Sequence, residues 1–268
     1  MPVAFLAALL GTMPGEGTTG QPRTATSGGI QKHPVSERAA ERGPPDTARA
    51  TYGMVVAAEP LAAQAGVEIL QQGGNAVDAA VAVAFALAVT HPEAGNLGGG
   101  GFMLIRMADG SAVMVDYRET APAAARWDMY LNAQGHLLPG SSTTGWRSAG
   151  VPGTVAGLEL ALRTRGTLSL KQVLAPAIRL AQQGFPVSEQ LADSLRQAAH
   201  RLSRDPESRR LFLRNGRYYQ PGELLVQKDL ARTLKKIAQK GAREFYEGSL
   251  AQHFVREAKK KRRALYPR

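Results

Sequence analysis

The sequence contains no cysteine, and this absence removes several classes of chemistry. Without thiols there is no disulfide framework, no thiolate nucleophile and no cysteine-ligated metal. The Gly-x-Ser-x-Gly turn of many serine hydrolases is also missing. The five histidines are scattered without the spacing typical of metal ligands, so the sequence predicts neither a metal site nor a cofactor. They are His33, His91, His136, His200 and His253.

Aromatic residues make up only 6% of the chain, and the positive charge is concentrated at one end. The net charge is +11, and more than half of it comes from residues 256–268, which carry seven Lys or Arg and one Glu. The rest of the chain lacks basic stretches interleaved with aromatic residues, the usual footprint of a nucleic-acid-binding surface. We therefore expect no nucleic-acid partner; the alternative, an RNA-binding tail, would show salt-dependent binding.

Long apolar runs are absent too. The longest one in the central part of the chain, Ala79–Thr90, is too short to cross a bilayer, so no membrane span is predicted. A shorter run at Val3–Leu10 has the length of a signal-peptide core but lacks preceding positive charge. This pattern predicts a periplasmic or secreted protein, or a cytoplasmic one if the run does not act as a signal.

Composition divides the chain into three regions. Residues 1–50 combine the signal-like run with a leader rich in Gly, Pro, Ser and Thr, which predicts disorder because such a segment buries little apolar surface. Residues 51–255 carry the apolar periodicities of a folded body. Residues 256–268 form the basic tail.

The patterns in the body predict an α+β fold, because helices and strands are mixed without a repeating βαβ order. An apolar segment at 52–60 predicts a short buried strand. Helical spacing over 61–74 predicts a helix ended by two glycines, and Asn75 with Asp78 predicts the capped start of a second helix that is apolar on all sides. Further helices are predicted at 154–165, 170–183, 188–200 and 228–240.

An Asp-Gly pair at 109–110 separates two strand-like runs, 102–108 and 111–119, and predicts a β-hairpin. The glycines at Gly98–Gly101 come directly before it. They lead into a strand rather than a helix and are not followed by Gly-Lys-Ser/Thr, so close backbone approach is favoured over a phosphate-binding loop.

Three threonines, Thr143, Thr144 and Thr154, are the weakest kind of candidate nucleophile. A threonine attacks efficiently when its own free α-amino group serves as the base, which requires chain cleavage directly before it. Nothing in the sequence predicts cleavage at these positions, so turn and helix-start roles are favoured. No catalytic residue is assigned within this chain.

Arg118 stands between two carboxylates in the segment Asp116–Pro122, "DYRETAP", at the end of the second predicted strand. Its guanidinium presents a planar fork that matches a carboxylate. One interpretation is a surface ion pair with Asp116, which shares its face of the strand, or with Glu119, which points to the opposite face. The other is a receptor for a small acidic substrate, and spacing alone leaves both open.

Several separated segments resemble the N-terminal, large-subunit part of the gamma-glutamyltranspeptidases, also called glutathione hydrolases. The similarity runs from about Thr51 to Ala251 and includes "MVVAAEPLAAQAGVEILQQGGNAVDAAVAVAFALAVTHPEAGNLGGGGFMLIR", "VDYRETAP", "AGVPGTVAGLELAL" and "YYQPGELLVQKDLARTLKKIAQKGAREFYEG". It implies part of an N-terminal-nucleophile hydrolase fold, a four-layer αββα sandwich, here without the small-subunit half.

The resemblance also implies chemistry. In the family a precursor cleaves itself before a threonine, and the freed threonine transfers a γ-glutamyl group from glutathione or a similar compound to water or an amino acid. Arg118 matches the arginine that binds the α-carboxylate of the glutamyl group, and Glu119 is given a supporting role. The small subunit, which carries the nucleophile, is then the expected partner.

The tail departs from the family pattern after Phe245–Gly248. We interpret it as the product of a frameshift, a premature stop or a gene fragment, and we expect the chain alone to be inactive and prone to aggregate because an apolar face is left uncovered. Two alternatives remain: a non-catalytic relic or carboxylate-binding module, and a relative of the cephalosporin acylases, which share the scaffold.

Overall fold

The computed structural model describes residues 48–265, and it describes their side chains except at 146 and 261–265. The signal-like run, nearly all of the leader and the last three residues lie outside the described part, as do the predictions made for them.

Helices dominate the described part of the chain. In chain order they are α1 (Pro60–Gln71), α2 (Ala76–Thr90), α3 (Thr154–Arg165), α4 (Leu170–Gln183), α5 (Glu189–Leu202), α6 (Pro206–Phe212), α7 (Lys228–Lys240), α8 (Ala242–Tyr246) and α9 (Ser249–Leu265), with a 3₁₀ turn at Trp146–Ser148. The strands are β1 (Phe102–Arg106), β2 (Ala112–Asp116), β3 (Phe185–Pro186), β4 (Leu213–Arg214), β5 (Arg217–Tyr218) and β6 (Leu224–Leu225). They form three antiparallel pairs, β1–β2, β3–β6 and β4–β5.

Helix α2 lies at the centre of the core. Every side of this helix is mainly apolar. It packs against α1, α3 and α4, and α4 also packs against α7. Val81, Phe85 and Val89 are completely buried along it. Twelve of its fifteen residues are buried and the other three, all alanines, are half-buried, so the prediction of a helix covered by other elements is confirmed.

Asp78 joins the start of α2 to the loop between α3 and α4. Its carboxylate is fully buried and accepts hydrogen bonds from the backbone N–H of Asn75 (2.7 Å), the backbone N–H and hydroxyl of Thr167 (3.0 and 2.7 Å) and the backbone N–H of Leu168 (3.1 Å). Asn75 caps the helix in return, which completes the predicted capping arrangement. The sequence predicted the cap, but the long-range contacts to the α3–α4 loop come from the tertiary fold.

The hairpin of β1 and β2 confirms the predicted Asp-Gly turn, where Gly110 has a φ of +87°. The alternation of its side chains puts Met103, Ile105 and Val115 in the core. The opposite face is exposed and carries three large apolar side chains, Phe102, Leu104 and Met114, which we call the outer hairpin face. The charged residues Arg106 and Asp116 flank them on the same side of the hairpin.

The prediction of a strand at 52–60 is wrong. Residues 53–57 carry no strand or helix assignment; Met54 and Val56 are exposed, and Val55 and Ala57 pack against the core. The alternation expected of a strand is present, but within residues 48–265 no neighbouring strand pairs with this segment. A strand requires such a partner, because its backbone groups form no hydrogen bonds within the segment.

The helices predicted at 154–165, 170–183 and 228–240 are confirmed, and α5 begins after Ser188 because that residue is its N-cap. The short hairpin of β4 and β5 was missed, although the Asn215-Gly216 pair that forms its turn is a usable signal for it. Helices α6, α8 and α9 were also missed. The α+β fold class is confirmed, and no helix in the described range is both long and apolar enough to cross a membrane.

Candidate functional site

Arg118 lies two residues beyond the end of β2 and is exposed. Its backbone N–H donates a hydrogen bond to Oδ1 of Asp116 at 3.0 Å. This local turn holds the main chain where it leaves the strand. The carboxylate of Asp116 therefore orders the backbone of Arg118 rather than pairing with its guanidinium.

The guanidinium of Arg118 forms no ion pair within the described part of the chain, whereas many other arginines there do. Arg179 pairs with Glu68, for example, and Arg196 pairs with Asp193. The surface ion pair with Asp116 or Glu119 is thus not formed in residues 48–265. The fork of Arg118 stays available to an external carboxylate.

Tyr117 anchors the main chain immediately before Arg118. Its backbone exchanges two hydrogen bonds with Gly101, from Tyr117 N–H to the Gly101 carbonyl (3.0 Å) and from Gly101 N–H to the Tyr117 carbonyl (3.3 Å). Its ring is half-buried against the core, and this burial raises the pKa of the phenol above its ordinary value of 10.0. The phenol therefore stays neutral at physiological pH, and the ring acts as a fixed apolar contact.

Thr120 anchors the chain on the other side of Arg118. Its backbone N–H donates to the carbonyl of Val151 (3.2 Å), and the N–H of Val151 donates to the Thr120 carbonyl (2.8 Å). Glu119, between these anchors, is exposed. The residues on both sides of Arg118 and Glu119 are therefore fixed by backbone hydrogen bonds, although the segment belongs to no regular strand.

The glycine segment Gly98–Gly101 packs against this same stretch of chain. A Cβ placed on Gly100 would lie 2.5 Å from the Tyr117 carbonyl oxygen and 2.8 Å from Cα of Arg118. The carbonyl of Gly99 accepts hydrogen bonds from the N–H groups of Gly153 and Thr154 at the start of α3 (2.8 and 3.0 Å). Close backbone approach, the explanation favoured from the sequence, is confirmed.

The three candidate threonines occupy structural positions. The N–H groups of Thr143 and Thr144 both donate to the Gly140 carbonyl in a turn, and Thr154 is the buried first residue of α3. Their predicted turn and helix-start roles are confirmed.

Sequence reasoning missed the parts that Tyr117, Gly153 and Gly157 play around Arg118. A signal existed for Gly157, because glycine inside a helix is less favourable than alanine by about 1 kcal/mol and therefore calls for a specific reason. The reason is visible only in three dimensions, where α3 crosses the end of β2.

The chain is similar to known proteins over most of its length. The family model for gamma-glutamyltranspeptidase matches residues 62–265, an interval that runs into the basic tail. The chain is similar to the glutathione hydrolase proenzyme of Pseudomonas sp. (strain A14), with 49% identity over 211 residues covering 78% of this chain and 37% of the relative. The corresponding proenzyme of Escherichia coli (strain K12) is 48% identical over 213 residues, covering 79% of this chain and 37% of the relative.

Among solved structures, gamma-glutamyltranspeptidase from Helicobacter pylori matches with a TM-score of 0.78 and 45% identity, over 80% of this chain and 62% of the solved chain. The described residues are thus part of an α+β N-terminal-nucleophile hydrolase fold. The chain belongs to the gamma-glutamyltranspeptidase family, as the resemblance predicted. It spans little more than a third of the length of the two curated relatives.

Proposed function

We propose that this chain supplies the large-subunit part of a γ-glutamyltransferase or glutathione hydrolase, in which Arg118 binds the α-carboxylate of a γ-glutamyl group. Glutathione and related γ-glutamyl compounds are the substrates, and the acyl group passes to water or to an amino acid. The threonine nucleophile comes from the small subunit of the same family.

The observation that carries this proposal is the state of Arg118. Its fork has no ion-pair partner in residues 48–265, while the backbone around it is fixed through Tyr117 and Thr120. A preorganised fork loses little conformational entropy when a carboxylate binds, and bidentate pairing selects for a planar anion. A guanidinium kept for solubility alone would not require the residues on both sides of it to be fixed by backbone hydrogen bonds.

The outer hairpin face supports the proposed partner. Phe102 is 51% exposed and Leu104 and Met114 are each 60% exposed, and all three lie on one side of the β1–β2 hairpin. A cluster of large exposed apolar side chains rimmed by charged residues marks a surface for another protein element. We assign the small subunit to it, because that subunit completes the sandwich implied by the fold and brings the nucleophile to the side of the sheet that Arg118 borders.

A two-chain complex tests the proposal. The full chain is produced together with a polypeptide that comprises the whole of the Pseudomonas sp. (strain A14) relative C-terminal to the segment that this chain matches, including its nucleophilic threonine. We expect the chain alone to release no p-nitroaniline from γ-glutamyl-p-nitroanilide, and the two-chain complex to release it.

Turnover by the chain alone would contradict the assignment of the nucleophile to the small subunit. A complex that forms but binds γ-glutamyl compounds without turnover would favour the alternative of a carboxylate-binding module. Replacing the relative's threonine by alanine is the control that shows whether any observed turnover uses the expected hydroxyl.

Two finer assignments accompany the proposal. Glu119, exposed beside Arg118, supports the orientation of the guanidinium, and Glu119→Gln should weaken donor binding less than any change of Arg118.

The run at Val3–Leu10 directs export, so N-terminal sequencing of protein from the periplasm or medium should show that this run has been removed.

A further inference from the structure

Helix α3 crosses the end of β2 at two glycines, Gly153 and Gly157. A Cβ placed on Gly157 would lie 2.7 Å from Cδ1 of Tyr117 and still closer to the first two carbons of that side chain. A Cβ on Gly153 would lie 2.7 Å from the carbonyl carbon of Tyr117 and 3.2 Å from the carbonyl oxygen of Arg118. Gly157 therefore borders the side chain of Tyr117, and Gly153 borders the main chain of Tyr117 and Arg118.

Backbone conformation does not explain these glycines. Gly157 lies inside α3 and has no positive φ, and Gly153 has a φ of −110°, which any residue adopts. An alanine would favour the helix at Gly157. A side chain at Gly157 is excluded because Tyr117 occupies the space that it would need.

Tyr117 cannot move away from α3 without moving Arg118. Its N–H and carbonyl are both hydrogen-bonded to Gly101, and Gly100 packs closely against the same main chain, near the Tyr117 carbonyl oxygen and Cα of Arg118. A push from α3 is thus transmitted along the backbone to the next residue, Arg118. Misplacement of a binding group by about 1 Å can cost a factor of about 100 in an enzyme reaction.

We infer that Gly157 is a positioning residue for γ-glutamyl carboxylate recognition, which sets the location of Arg118 through the side chain of Tyr117. This inference rests on the proposed function, because it specifies how the binding arginine of that site is placed. Gly157 touches no substrate, and its effect on donor binding passes entirely through Arg118.

The test is Gly157→Ala in the two-chain complex, with the KM and kcat for γ-glutamyl-p-nitroanilide measured together. We expect KM to rise about tenfold or more and kcat to change less, because the carboxylate is bound in both the ground state and the transition state. Gly66→Ala is the matched control. Gly66 is also a buried helix glycine whose added Cβ would lie 2.7 Å from a Val83 methyl, but it borders the core rather than Arg118. Gly66→Ala should lower thermal stability and leave KM unchanged.

A double-mutant cycle with Arg118→Ala separates positioning from general damage. If Gly157 acts through Arg118, adding Gly157→Ala to Arg118→Ala should raise KM no further. An additive effect of the two substitutions, or the same KM rise in Gly66→Ala, would overturn the inference. If Arg118→Ala itself leaves KM unchanged, the proposed function fails as well, whereas a large Arg118→Ala effect with none from Gly157→Ala refutes the positioning role alone.

Gly101→Ala keeps the inference testable if Gly157→Ala does not fold. Its added Cβ would approach the far end of the Tyr117 ring at 3.0 to 3.2 Å, a milder crowding of the same side chain. We expect a KM increase of a few fold that again disappears in the Arg118→Ala background. An unchanged KM in a folded Gly101→Ala complex would count against transmission through Tyr117.

Discussion

Replacing Arg118 is the most direct test of the site, and the structure sets the size of the effect. The fork has no intramolecular ion pair in the described part of the chain, so its removal frees no buried carboxylate and should cost little stability. In the completed pocket the same fork would face a substrate carboxylate shielded from water. Breaking such a charge pair costs about 2–5 kcal/mol, which corresponds to a loss of about 30- to 5,000-fold in kcat/KM.

Arg118→Lys separates charge from geometry. A lysine keeps the positive charge but loses the planar, bidentate fork, so its kcat/KM should fall between those of the parent complex and Arg118→Ala. Both changes should appear mainly in KM, since the α-carboxylate is bound equally before and during the chemical step.

The assay is initial-rate kinetics with γ-glutamyl-p-nitroanilide in the two-chain complex, alongside thermal melting. Arg196→Ala is the matched control, because Arg196 is an exposed arginine on α5 with only a surface ion pair to Asp193. An Arg118→Ala complex that melts like the parent and retains its KM would refute the reasoning. An equal loss in Arg196→Ala would show that the effect is not specific to the site.

Three further predictions concern stability and assembly. Asp78→Ala should lower the free energy of unfolding by about 3 kcal/mol, because the N–H groups of Asn75, Thr167 and Leu168 and the Thr167 hydroxyl lose the buried carboxylate that accepts their hydrogen bonds, and chemical denaturation of the complex measures this. Glu223→Gln should lower the melting temperature at pH 7 but not near pH 2. Its hydrogen bonds with Arg217 and nearby groups hold the pKa of Glu223 at about 2, below the ordinary 4.5, so the stabilisation is present above pH 4.5 and is lost as the pH falls toward 2. Leu104→Lys on the outer hairpin face should keep the chain folded but reduce its co-purification with the small-subunit polypeptide, and undiminished assembly would show that this face is not the docking surface.

Much of the fold could be predicted from local patterns. Helical spacing, the Asn75 cap and the Asp-Gly turn are encoded within a few residues of one another, so α1, α2 and the β1–β2 hairpin follow from the sequence. The segment at 52–60 shows the limit. Its alternation is that of a strand, but strand formation depends on a partner that residues 48–265 do not provide.

For the candidate site, too, one part could be predicted from the sequence and another part could not. The position of Arg118 after an apolar strand, with a fork suited to a carboxylate, could be read from the sequence, and the family resemblance gave it a specific role. The sequence could not decide between an ion pair and a free guanidinium, because that depends on where Asp116 and Glu119 direct their side chains.

The sequence by itself determined the family, the α+β class, the caps and turns and the identity of the candidate arginine, because each depends on residue type and short spacing. Only the tertiary structure showed that Asp78 ties α2 to a loop about ninety residues away and that Gly157 faces Tyr117. Contacts of that kind arise when distant segments are packed together, and the clearance between a glycine and a tyrosine on separate elements is set by that packing alone.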